Sequence, residues 1–250
     1  MVLILIGILT YVSLEAINSS VSDARFQETV DEMRMITEAM VGNKKLQEGG
    51  SRTSFGYFGD VGALPSAIGD LTTKPGAVSA YTVSSANRIA YGWNGPYVEQ
   101  GDSAADYTTD AWGTAYVYTS GAGPLVSYGA NKVAGGTSLD QDITITLPTA
   151  ERVATVEGFV SNAGGPITAN AQVELNYPNG TGGLTQTLAN TTAALKGYFS
   201  FASVPYGVRS ITIYNPDKAT ATAVNTKGPF VITVDKPKVF VPANQLDFNP

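Results

Sequence analysis

The chain opens on a run that is apolar all round. Met1–Leu14 (MVLILIGILTYVSL) carries no charge, and the first acid is Glu15. From Asn18 the residues turn polar while a helical period persists. Phe26, Val30, Met33, Thr37 and Met40 recur at spacings of 4, 3, 4 and 3, one face of an α-helix. Asp23, Glu28, Asp31, Glu32 and Arg34 fill the remaining positions, and no Pro or Gly interrupts Ile8–Val41. The pattern predicts one helix from about residue 1 to Val41, stopped at Gly42-Asn43. A membrane anchor prolonged by a stalk helix has this pattern. The apolar run falls slightly short of the ~20 residues of a spanning helix. It also lacks the basic start and small-residue cleavage site of a secretory signal.

Beyond Gly42 the period changes. Gly49-Gly50-Ser51 and Gly56-Tyr57-Phe58-Gly59-Asp60 lead into a loop-like stretch rich in Ser, Thr, Gly and Pro. Short apolar and aromatic runs follow, separated by Gly and Pro turns, through Tyr116, Tyr118 and Leu125–Gly129. A second unit begins near Pro148-Thr149-Ala150. Val153–Val160 reads as a strand, Val173, Leu175 and Tyr177 alternate with polar neighbours, and Pro178-Asn179-Gly180 marks a turn. Tyr198–Phe201, Val208–Tyr214, Phe230–Val234 and Lys238–Val241 complete about seven short strands, the pattern of a β-sandwich. The expected class is α+β, with a helix over 1–42, a small β head over 43–148 and an all-β sandwich over 149–250.

Composition narrows the chemistry. The 250 residues include no Cys and no His, carry a net charge of -6, and are only 14% charged. The commonest general base and transition-metal ligand is therefore missing, and with it the thiol nucleophile. No paired carboxylates stand in a catalytic context, so an enzyme is not expected. An acidic chain poor in Lys and Arg does not attract nucleic acid by charge.

The N-terminal helix resembles that of the type IV pilin family. The resemblance implies an apolar half held in the membrane before assembly and buried among neighbouring helices in the filament, with Ile4, Leu5, Ile8, Leu9 and Val12 as assembly residues. The family's start motif places a glutamate at the fifth mature position, where this chain has Leu5. Either the mature chain starts about five residues upstream, or the subunit departs from the family there.

The middle segment carries, in order, Gly95-Pro96-Tyr97, Asp110-Ala111-Trp112-Gly113-Thr114-Ala115-Tyr116, Ser127-Tyr128-Gly129-Ala130-Asn131, Gly135-Gly136 and Asp140-Gln141-Asp142-Ile143. This set resembles the major pseudopilin of type II secretion systems, with two motif prolines replaced by Ala111 and Ala115 and a motif aspartate by Asn131. The resemblance implies a calcium ion in the last loop, held by Asp140, Asp142, Asn131 and Ser127. The alternative for this loop is a solvated acidic turn closed by hydrogen bonds.

Val156-Glu157-Gly158-Phe159-Val160, Gly165-Pro166-Ile167, Gly197-Tyr198-Phe199-Ser200-Phe201 and Val204-Pro205-Tyr206-Gly207 resemble the carboxypeptidase regulatory-like domain, a prealbumin-like sandwich. That implies an accessory role. Together these features imply a non-enzymatic subunit of an extracellular, pilus-like homopolymer on the cell surface, built by an inner-membrane assembly machinery. The alternatives are a periplasmic pseudopilin and a membrane-anchored surface binder that does not polymerise.

Overall fold

A computed structural model describes residues 2–98, 107–121, 124–167, 169–192 and 194–248; among the first sixteen, the described side chains are those of Tyr11, Ser13 and Leu14. The predicted helix is present as α1, Val2–Val41, about 60 Å long at 1.5 Å per residue. It stops at Gly42, whose φ is +80°. A Cβ there would strike the Ser54 carbonyl and come within 2.5 Å of Phe55 Cα, so only glycine fits. Arg52 closes the end. Its guanidinium donates to the Val41 carbonyl and, through Nε, to the Ser54 carbonyl at 2.6 Å. A cation thus sits at the negative end of the helix dipole.

The inner half of α1 packs on the head, but the buried stripe is rotated from the predicted one. Met33 and Met40 are buried as expected, whereas Phe26, Val30 and Thr37 lie at its margin. Ile36, Ala39 and two polar residues, Thr29 and Glu32, complete the buried face. The head supplies the polar partners: Tyr116 Oη donates to Glu32 Oε2 at 2.7 Å, and the Ala111 amide donates to Thr29 Oγ1 at 3.2 Å. Hydrophobic periodicity cannot register a buried face made partly of paired polar groups.

In the head, β1 (Gln47–Glu48) and β2 (Ser51–Arg52) form a small hairpin, followed by helix α2 (Gly56–Val61). The stretch expected as loop contains a 3-10 turn at Ile68–Leu71 and a second hairpin, β3 (Thr82–Ser84) with β4 (Ile89–Tyr91). Elements this short leave no period to detect. Strands β5 (Val117–Tyr118), β6 (Leu125–Ser127) and β7 (Ile143–Ile145) make an antiparallel sheet in that order. Its residues close a core with Met33, Ile36 and Met40 of α1 and with Tyr57, Val61 and Leu71.

The C-terminal unit adds β8 (Val153–Phe159), β9 (Ser161–Asn162), β10 (Gly165–Pro166), β11 (Ala171–Pro178), β12 (Leu184–Thr191), β13 (Tyr198–Pro205), β14 (Gly207–Tyr214), β15 (Thr226–Val234) and β16 (Lys238–Val241). One sheet has the order β12-β11-β14-β15 and the other β13-β8-β16, with β16 parallel to β8. Val156, Val173, Leu175, Phe199, Ile211 and Ile213 fill the core between them. Strand β12 was not legible in the sequence. As an edge strand it buries little, and LTQTLANT has no sustained alternation.

Strand β11 departs from the half-buried pattern its alternation predicts, because Glu174 and Asn176 are buried as well. Glu174 is ion-paired to Lys218 at 2.5 Å. Asn176 and its cross-strand neighbour Ser210 lie where α2 and β4 come up against β11 and β14. Two backbone hydrogen bonds stitch this junction: Gly180 N to Val61 O at 2.7 Å and Ser79 N to Thr181 O at 3.2 Å.

Candidate functional site

The outer half of α1 stands clear of the head. Tyr11, Leu14, Ile17 and Val21 are 46–68% exposed and follow at spacings of 3, 3 and 4, one continuous stripe. Further along lie exposed Glu28 and Asp31, with Arg34 paired to Asp31 at 2.8 Å. The expected assembly positions Ile4, Leu5, Ile8, Leu9 and Val12 belong to the same helix, and their side chains lie outside the described residues. Among the described residues no helix is long and apolar enough to cross a membrane.

The motif aromatics serve the head's interior. Asp110 is buried and closes a turn, its Oδ1 accepting from the amides of Trp112 at 3.0 Å and Thr114 at 2.8 Å. Its Oδ2 accepts from Ser127 Oγ at 2.6 Å. Trp93 Nε1 donates to the Asp70 carbonyl at 2.8 Å, and Tyr118 Oη to the Pro65 carbonyl at 3.0 Å. Burial, reinforced by Glu32, pushes the Tyr116 phenol far above its ordinary range and holds it protonated. These groups fix the face on which α1 lies.

Of the four expected calcium ligands, the fold gathers three in one loop. Asn131, Asp140 and Asp142 lie on the segment that leaves β6 and returns as β7. Asp142 Oδ1 accepts from the Gly135 amide and Asn131 Oδ1 from the Val133 amide, both at 3.0 Å. Gly136 lies against the Asp140 carbonyl and the Asn131 amide, so a side chain there would fill the space between them. A Cβ on Gly129 would meet the carbonyl oxygens of Leu139 and Gln141 at 2.7 and 2.9 Å. Ser127 stands apart: its hydroxyl is engaged by Asp110 inside the head. No group of three or more His, Cys, Asp or Glu able to hold a metal occurs among the described residues. The donor set is nonetheless entirely oxygen, with two carboxylates beside an amide and several carbonyls, which suits a hard cation.

Two charged residues, Asp60 and Arg209, meet the junction without a sequence motif to mark them. Arg209, 1% exposed, points inward from β14 on the same face as Ile211 and Ile213. Its guanidinium lies over Gly207, whose missing side chain makes the room. It donates to the carbonyls of Pro205, Tyr206 and Val208, and to Gly59 of the head at 3.1 Å. The turn Val204-Pro205-Tyr206-Gly207 therefore wraps a cation that reaches across the junction. Asp60, next to Gly59, has its carboxyl pushed up to about 6 by burial, opposed by the Tyr97 hydroxyl and by Arg209. A basic residue in an Ile/Val strand at an inward position is the signal that marks Arg209.

Comparison with curated proteins and with solved structures gave no match. A family comparison did, over roughly a third of the chain and over the ordered aromatic and glycine motifs. The segment that runs from α2 through the Asp140–Asp142 loop, residues 60–146, matches the family model of the type II secretion system protein G.

Proposed function

We propose that the chain is a structural, non-enzymatic subunit of an extracellular pilus-like filament, polymerising through α1. The observation that carries this is the exposed apolar stripe Tyr11–Leu14–Ile17–Val21 on a helix whose other half is locked to the head. Isolated in water such a stripe has no partner, and at about 25 cal/mol per Å² its burial among neighbouring helices favours assembly. Before assembly the apolar N-terminus holds the subunit in the membrane, where an assembly machinery collects it. The docked C-terminal unit adds bulk on the outside of a fibre, which favours a surface filament. The match to protein G supports a second reading, a short periplasmic pseudopilus.

Calcium belongs to the same proposal. Asp140, Asp142 and Asn131, with the neighbouring carbonyls, would hold the ion, which would neutralise the paired carboxylates and tie the loop to β7.

Electron microscopy of material sheared from cells expressing the full chain tests the reading. Long helical filaments of this subunit are the expected result. Membrane-held monomers with no filament under any condition would overturn it, whereas short cell-bound fibres together with a secretion defect on deletion would select the pseudopilus.

A further inference from the structure

A cleft of about 620 Å³ lies between the head and the C-terminal unit. Asp60 and Arg209 are among its lining groups, with Phe55, Tyr81 and Tyr97 on the head side and Val208 on the other. No ion pair joins the two charges. Asp60 takes the Tyr97 hydroxyl at 3.0 Å, and that hydroxyl in turn accepts from the Asn94 amide at 2.9 Å. Four of the five N–H groups of Arg209 are engaged by carbonyls, which leaves one on Nη2. The cleft thus presents a half-buried carboxylate, Asp60, and a buried guanidinium, Arg209, that are not paired with each other.

We propose that this cleft binds a saccharide, with a hydroxyl group donating to Asp60 and accepting from Arg209. A hydroxyl is both donor and acceptor, so it satisfies both charges at once. A simple cation meets Arg209, and a simple anion meets Asp60, at a cost in either case. Tyr81 lines the cleft and is 44% exposed, an aromatic side chain of the kind on which the C–H face of a sugar packs. Arg88 is exposed at the rim, where water screens it. The volume accommodates one or two sugar units. Both halves of the molecule contribute, and domain junctions are where such sites form.

The test uses the full-length chain in a sugar-free zwitterionic detergent. Saturation-transfer NMR is run against glucose, galactose, mannose, N-acetylglucosamine, cellobiose and chitobiose, with glycine and phosphate as ionic controls. Saturable binding of at least one saccharide is expected, weakened about tenfold or more, ~1.4 kcal/mol, by Tyr81→Ala and by Asp60→Asn. Tyr81→Ala keeps the wild-type melting curve, which separates loss of binding from loss of fold. The proposal is overturned if no saccharide binds, if binding survives both substitutions undiminished, or if only the ionic controls bind.

Discussion

Arg209 is a buried cation held almost wholly by backbone carbonyls from two units of the fold. Replacing it leaves several of those oxygens without partners in a closed site. Arg209→Met is expected to lower unfolding free energy by on the order of 3 kcal/mol, read by urea denaturation; wild-type stability would show that the contacts are incidental. Asp60 governs a pH dependence. Its folded carboxyl titrates near 6 against an ordinary 3.8, raised chiefly by burial. Between those values the folded chain holds a proton that the unfolded chain releases, so this group's ionisation destabilises the fold as pH rises through the window. Asp60→Asn has no proton to lose. The stability difference between variant and wild type should shift in the variant's favour from pH 4 to pH 7, by at most about 3 kcal/mol before solvent screening. A pH-independent difference would contradict the assignment.

At the scale of elements, α1 does two jobs with two halves. Its inner half is fixed by Met33, Ile36 and Met40 and by the Glu32–Tyr116 bond; its outer half is free to meet other copies. Ile4→Asp or Ile8→Asp is therefore expected to abolish filaments while circular dichroism of the head stays unchanged. Normal filaments from both variants would remove α1 from the assembly mechanism. The loop of Asn131, Asp140 and Asp142 predicts a second outcome. Calcium at about a hundredfold over its dissociation constant should stabilise the chain by about 2.7 kcal/mol relative to chelator. The doubly substituted Asp140→Asn, Asp142→Asn chain should melt alike in both. Identical wild-type melting with and without calcium would eliminate the ion.

For the whole molecule, the contacts across the junction predict that the head and the C-terminal unit unfold together in one transition. Gly62 ends α2 with φ +89° and presses on the Pro178 carbonyl of β11. A side chain there adds backbone strain and a clash with backbone that cannot yield. Gly62→Val should split a single calorimetric transition into two and expose the 147–152 segment to proteolysis. A single unchanged transition would mean that the units are coupled elsewhere.

The α+β class, the extent of the helix and most of the C-terminal strands were legible along the chain, because each rests on a local period of polar and apolar residues. The aromatic and glycine motifs were legible as an ordered set, and they coincide with the matched segment 60–146. Tertiary structure alone decided the rest. Glu32 and Thr29 are on the buried face of α1 because Tyr116 and Ala111 meet them from more than eighty residues away. Asn176 is buried on the polar side of β11 where the head packs against the sheet. Ser127 stands apart from the loop of Asn131, Asp140 and Asp142 because Asp110 accepts its hydroxyl. Asp60 and Arg209, about 150 positions apart, face one cleft because the Val204-Pro205-Tyr206-Gly207 turn carries the cation to the head. Periodicity records which side of an element is apolar; which partner covers that side depends on contacts between residues distant in sequence.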